Sequence, residues 1–202
     1  MPLPMNTTSA TPDSDLLRAM RGGDAAAFAA LYRRHQGPLY RFALLRCGSD
    51  ATAADVVQET FMGLMTERFR FDPLRGPLQA FLFGVARNLI LKLEESRQRH
   101  VALPAHEAAQ DDHDDDDDGA GQPVEDGGPL ARLLDNEAAE QVRRALAQLA
   151  PHYRDVVILY EMHELSYAEI ADICQVDIGT VRSRLSRGRA ALAKRLTGLA
   201  QA

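Results

Sequence analysis

Between Val101 and Leu130 the chain carries ten acidic side chains and no Lys or Arg, with five aspartates in unbroken succession at Asp114–Asp118. Like charges at that density repel one another and bring no apolar surface to bury, so this stretch cannot belong to a core. It divides the 202 residues into two blocks of roughly 70–90 residues, each small but adequate for a helical bundle. It also hides a charge segregation. The net charge is −6, yet outside the acidic stretch 23 basic side chains face 19 acidic ones. The last amphipathic stretch, Ile178 to Leu196, has six basic residues and no acid.

Apolar residues make up 46% of the chain and charged residues 26%, the composition of folded globular domains. No apolar run approaches the roughly 20 residues of a membrane span, and no membrane insertion is expected. Met1 to Thr11 lacks the basic start and apolar core of a signal peptide, so a cytoplasmic location is expected. Cys47 and Cys174 lie far apart without CxxC or HxxxCxxC spacing and read as buried apolar thiols. Neither a metal nor a cofactor is expected.

Apolar periodicity predicts helices throughout and no strand. The Pro/Ser/Thr-rich start, 1–12, reads as disordered. Gly22-Gly23 ends a first helix and Asp24 can cap the next. Gly37-Pro38 and Cys47-Gly48-Ser49-Asp50 read as further breaks. A helix is expected over Ala51–Glu67, then a loop Phe69–Gly76. Pro77 suits the first turn of a long helix reaching about Arg97, with a buried stripe at Leu78, Leu82, Val85, Leu89 and Leu93. The fold class is all-α: an N-terminal helical bundle (13–100), a disordered acidic linker (101–130) and a C-terminal helical domain (131–202).

The C-terminal domain carries the clearest functional signal. Ser166-Tyr167-Ala168-Glu169 is a capping box opening a helix to Cys174. Gln175-Val176-Asp177 is a short turn with Asp177 placed to cap a second helix. That helix has an apolar stripe at Val181, Leu185, Leu192 and Leu196. Thr180, Arg182, Ser183, Arg184, Arg187 and Arg189 occupy its other faces. This is a helix-turn-helix, whose second helix enters the major groove. Arginines can read guanine bidentately or clamp phosphates. A surface helix with merely solvated arginines is the competing reading, and the motif alone does not separate one class of DNA-binding protein from another.

In the N-terminal domain, Val57, Phe61 and Leu64 share one side of the helix at Ala51–Glu67, with Asp55, Glu59 and Met62 on another. That second face is either a docking surface or an ordinary solvated acidic face. In the following loop Phe69, Arg70, Phe71 and Arg75 mix stacking platforms with phosphate-binding groups, as single-strand binders do. Core anchoring of Phe69 and Phe71 fits equally well.

Three motifs in order resemble the extracytoplasmic-function (ECF) subfamily of bacterial sigma factors. Asp55-Val56-Val57-Gln58-Glu59-Thr60-Phe61 is similar to the family's DxVQExF core-binding segment. Phe71-Asp72-Pro73, Phe81-Leu82 and Ala86-Arg87-Asn88 resemble its promoter-melting segment. Leu165 to Ala171 with Gly179 to Leu185 resembles its SYxEIA…GTVxSRL region. The resemblance implies a non-enzymatic subunit that binds core RNA polymerase and directs promoter-specific initiation by recognising −10 and −35 elements. It implies that Asp55, Gln58, Glu59, Phe61 and Met62 bind core polymerase, with Asp55, Gln58 and Glu59 facing the β′ clamp helices, and that the β subunit is a further contact. It places Phe69, Arg70, Phe71, Arg75, Phe81, Arg87, Asn88, Arg97 and Arg99 on the −10 DNA. Thr180, Arg182, Ser183, Arg184, Arg187 and Arg189 go to the −35 DNA. An anti-sigma factor is a further implied partner.

The sequence departs from the family in five places. Phe81 replaces a tryptophan. Lys92 replaces an aspartate, and Glu94 and Glu95 stand in a usually basic run, where they would repel phosphates. Gly188 replaces the preferred alanine, and Asp177 a common proline.

Asp114-x-Asp116-x-Asp118-Gly119 with Glu125 formally matches a calcium-binding loop. Pro123 interrupts it, Gly121 lacks the apolar side chain usual there, and neither flank is an amphipathic helix, so a solvated linker is the expectation. The resemblance further implies that the linker threads polymerase channels that later hold nucleic acid, a role that a polyanion suits. The rival functions are a stand-alone helix-turn-helix regulator, which would need a sensor or dimerisation domain in place of the Asp55–Phe61 motif, and an enzyme. For the enzyme, only scattered histidines (His35, His152, His163) are on offer.

Overall fold

The computed structural model describes residues 11–102 and 129–199, and all its regular elements are helical. The first half contains α1 (Asp13–Arg21), α2 (Ala25–Cys47), α3 (Asp50–Met65), a short 3-10 turn (Pro73–Arg75) and α4 (Leu78–Ala102). The second contains α5 (Pro129–Ala147), α6 (Pro151–Glu161), α7 (Tyr167–Cys174) and α8 (Ile178–Leu199). The Asp114–Glu125 pattern lies outside the described residues.

Local chemistry sets most boundaries. Asp24 caps α2 by accepting the Ala26 and Ala27 amides. Gly48 ends α2 with φ 71°, a left-handed C-terminus that suits glycine. Ser49 then caps α3 through the Thr52 amide.

Two expectations are corrected. Gly37-Pro38 does not break the chain: α2 runs unbroken with Pro38 inside it. An interior proline costs about 3 kcal/mol, but Leu31, His35, Leu39 and Phe42 bury one continuous face across it. That burial holds the helix together. The stripe on α4 also drifts from the expected one. Leu78, Leu82, Phe83, Ala86 and Ile90 are buried, whereas Leu93 is 41% exposed. At 3.6 residues per turn, a face that starts at Leu78 and must meet both α2 and the second half rotates round the helix.

The two halves pack against each other, α2 on α5 and α6, and α4 on α7. One hydrophobic core runs through both. His163, in the turn after α6, sits between Phe83 of α4 (centroids 4.6 Å) and Phe42 of α2 (6.3 Å).

Candidate nucleic-acid interface

The helix-turn-helix forms as its sequence predicts. Ser166 Oγ accepts the Glu169 amide at 3.3 Å, and Glu169 returns a carboxylate oxygen to the Ser166 amide at 2.9 Å. Gln175 turns the chain with φ 55°. Ile170, Ala171, Ile173 and Cys174 are buried from α7, and Val181 and Leu185 from α8. Burial pushes the Cys174 thiol up to about 11, which fits an inert packing role. Gly188 continues the inner face. A Cβ there would lie 2.7 Å from Val157 Cγ2, so the glycine lets α8 approach α6 closely.

On the outer side Arg182, Ser183, Arg187 and Arg189 are exposed, and Thr180 and Arg184 are half-buried. Arg189 is engaged: its Nε donates to Glu161 at 2.5 Å and its guanidinium lies 4.9 Å from the Tyr160 ring centroid. The Arg182 guanidinium lies 5.7 Å from the Tyr167 centroid.

A second assembly surrounds the 3-10 turn. Asp72 caps it by accepting the Leu74 amide at 3.0 Å, and Gly76 ends it at φ 132°, a conformation suited to glycine. Phe71 and Phe81 meet edge to face at 5.4 Å. With Arg70, Arg75 and Asn88 they line a cleft of 440 Å³ whose opposite wall is α7, through Glu169, Asp172 and Gln175. Leu74, at the tip, is 93% exposed. Neither charge nor an aromatic ring marks this position in the sequence, and only the fold shows that it projects beside aromatic and basic groups.

The remaining predicted −10 residues lie elsewhere. Phe69 docks against Gly63 of α3, so tightly that a Cβ on Gly63 would overlap its ring. Arg68 covers that ring at 4.6 Å and pairs with Glu59. Arg97 donates to Thr52 Oγ1 at 3.3 Å and Arg99 to the Glu95 carbonyl at 3.3 Å, both on the distal, exposed part of α4. Arg87 points to the second half, where its Nε donates to Asp155 at 2.7 Å.

On α3, Asp55, Gln58 and Met62 form an exposed ridge, and Glu59 is partly exposed beside it. An apolar groove runs along one flank, lined by Phe28, Tyr32, Tyr40 and Met65, and a second groove with Lys92 and Leu93 runs along the other. Phe61 is 2% exposed and packs on Tyr32 at 4.9 Å, so it lies at the floor of the first groove and not on the ridge.

The least legible feature joins the halves. Arg46 is fully buried. Its Nε donates to Asp155 at 2.5 Å, and its two terminal nitrogens donate to Glu94 at 2.5 and 2.9 Å. Burial works against its charge, but the hydrogen bonds and charges of Glu94 and Asp155 outweigh that and raise its pKa. Glu94, which stood out as an acid in a usually basic run, is here the counter-ion of a buried arginine. Among the described residues no group of three His, Cys, Asp or Glu side chains is placed to hold a metal. No helix there is long and apolar enough to cross a membrane.

Residues 31–100 match the Sigma-70 region 2 family and residues 139–192 match Sigma-70, region 4. The chain is 33% identical to the ECF RNA polymerase sigma factor SigE of Mycolicibacterium smegmatis, over 83% of this chain and 62% of that protein. It is 33% identical to SigM of Mycobacterium tuberculosis, over 91% of this chain and 84% of SigM. It is 27% identical to SigW of Bacillus subtilis, over 91% and 96% respectively. Among solved structures it is similar to the sigma factor RpoE in complex with the anti-sigma factor NepR from Bartonella quintana. The TM-score is 0.64 at 25% identity, covering 84% of this chain and 96% of RpoE. By these matches the chain belongs to the ECF RNA polymerase sigma factors.

Proposed function

We propose that this chain binds core RNA polymerase through the α3 ridge, working in the cytoplasm. There it directs promoter-specific initiation, with α8 on the −35 element and the Phe71–Phe81 cleft on the −10 strand. It has no chemistry of its own. The domain limits 13–100, 101–130 and 131–202 go with this reading. One observation carries it: a capped helix-turn-helix, an aromatic and basic cleft, and an exposed acidic helix ridge occur on one chain. Aromatics and arginines suit an unstacked base, and the exposed arginines of α8 suit the major groove. An anti-sigma factor is a proposed partner, because the relative RpoE is solved in complex with one.

The test is run-off transcription by core polymerase on genomic fragments, with and without the chain. Defined transcripts should need the wild-type chain and be lost with Asp55→Arg, a charge reversal on the exposed ridge. DNA binding without any effect on core polymerase would favour a stand-alone helix-turn-helix regulator instead.

A further inference from the structure

We propose that Tyr160 and Tyr167 are positioning residues for promoter reading, holding Arg182 ready at the front of α8 through one four-membered stack. The inference rests on the reading of α8 as the −35 element reader. The stack runs Arg189, Tyr160, Tyr167, Arg182. The Arg189 guanidinium lies 4.9 Å from the Tyr160 centroid. Tyr160 and Tyr167 are stacked at 5.3 Å with 27° between their planes. The Arg182 guanidinium lies 5.7 Å from the Tyr167 centroid. The rings come from α6 and α7 and both arginines from α8, so the stack ties those three helices together. Cation–π attraction holds each end.

The two ends differ. At Arg189, Glu161 takes the Nε donor and balances the charge. At Arg182 no ion pair forms among the described residues, and the side chain is exposed. A cation–π contact takes up no hydrogen-bond acceptor, so the N–H donors that read guanine bidentately are not spent on it. An arginine already stacked has also lost part of its rotamer freedom before DNA arrives. Arg182 is thus the open end of a stack anchored at Arg189.

The test uses holoenzyme assembled from the full chain and core polymerase. Wild-type holoenzyme first selects a preferred duplex from a randomised pool, and single-base variants of that duplex are then compared. Arg182→Ala should relax discrimination at one base pair by roughly 5- to 150-fold. Tyr167→Leu should relax the same base pair by about fivefold or more, and Tyr167→Phe, which keeps the ring face, should match wild type. The double variant Tyr167→Leu/Arg182→Ala should be no worse than Arg182→Ala alone. If Arg182→Ala is base-specific while Tyr167→Leu keeps wild-type discrimination, or weakens every duplex alike, the positioning role is overturned and the reading of α8 stands. If no alanine variant in α8 changes binding, that reading falls and the positioning role with it. A measurement on the wild-type chain avoids any folding defect in the variants. NMR relaxation of the arginine Nε–Hε groups should find Arg182 more restricted than Arg187, and equal mobility would overturn the proposal.

Discussion

Arg87 of α4 and Asp155 of α6 are joined across the two halves, Nε to Oδ2 at 2.7 Å, while the other oxygen of Asp155 accepts from the buried Arg46. One carboxylate thus holds two guanidiniums from the opposite half. Asp155 takes the Nε donor of Arg87, which leaves only the terminal N–H groups of that guanidinium for a −10 phosphate. Removing Asp155 leaves Arg46 buried with one counter-ion fewer. Asp155→Ala should therefore cost about 3–5 kcal/mol, the range for breaking a buried pair. Glu94 is 35% exposed at its side chain, so water can replace part of what it supplies, and Glu94→Ala should cost less. Urea denaturation of both variants checks the order, and equal or reversed losses would show that Asp155 does not anchor the network.

His163 gives this contact a pH dependence. Its ring lies between Phe42 and Phe83, and burial, with Arg41 adding to it, lowers its pKa to about 4. An unfolded histidine titrates near 6.5, so below that pH the unfolded chain takes up a proton that the folded chain resists. This contribution to stability is complete above about pH 6.5 and is lost as pH falls towards 4. Between pH 7 and pH 5 the loss should be about 1–2 kcal/mol, allowing for solvent at a half-buried ring. Between the two pH values wild type should lose more stability than His163→Leu in melting curves, and equal losses would remove His163 as the cause.

Phe69 and Phe71 should separate in function, since the structure separates them in space. Phe69 is seated on Gly63, whereas Phe71 lines the cleft with Phe81. Phe69→Ala should lower the melting temperature through lost packing and leave promoter opening by the surviving folded protein intact. Phe71→Ala should impair opening with a smaller stability loss. Permanganate footprinting of unstacked thymines reads the opening, and a Phe69→Ala defect there at a temperature where the variant is folded would return Phe69 to the −10 set.

What could be read in advance followed the range of each interaction. The Ser166–Glu169 capping box, the Gly48 terminus and the Asp24 cap are each set within a few residues, and all stand as expected. The exposed ridge of α3 was legible because helical spacing alone separates Asp55 and Met62 from Val57 and Leu64. Pro38 misled because a local rule was overridden by tertiary burial on both sides of it. The pairing of Arg46 with Asp155, 109 residues away, leaves no periodic trace. Arg46 looks like any helix-end arginine, and only the packing of the halves shows that it is buried.

Gly188 is a departure from the family with a structural cause. A Cβ would stand 2.7 Å from Val157 Cγ2, and Tyr153 Cβ lies 3.5 Å away on the same side. Valine is stiff at χ1 and cannot swing clear. Gly188→Ala should gain helix propensity yet lose about 1–3 kcal/mol to overpacking, for a net loss. In a Val157→Ala background the same substitution should turn neutral or stabilising. A double-mutant cycle by thermal melting checks this, and additive losses would mean that Val157 is not what Gly188 makes room for.

Arg187 and Arg189 both stand in the later part of the reading helix, where phosphate contacts are expected, but the structure treats them differently. Arg187 is exposed, and among the described residues it makes no aromatic contact or ion pair. Arg189 is already neutralised by Glu161 and stacked on Tyr160. A guanidinium that releases a counterion from DNA must have its charge available. Arg187→Ala should therefore weaken binding to all promoter variants alike and flatten the salt dependence by about one unit of log–log slope. Arg189→Ala should leave that slope near wild type and instead lower the melting temperature slightly. Binding of the holoenzyme across a series of salt concentrations decides between them. A slope change as large for Arg189→Ala as for Arg187→Ala would show that Arg189 exchanges Glu161 for a phosphate when DNA binds.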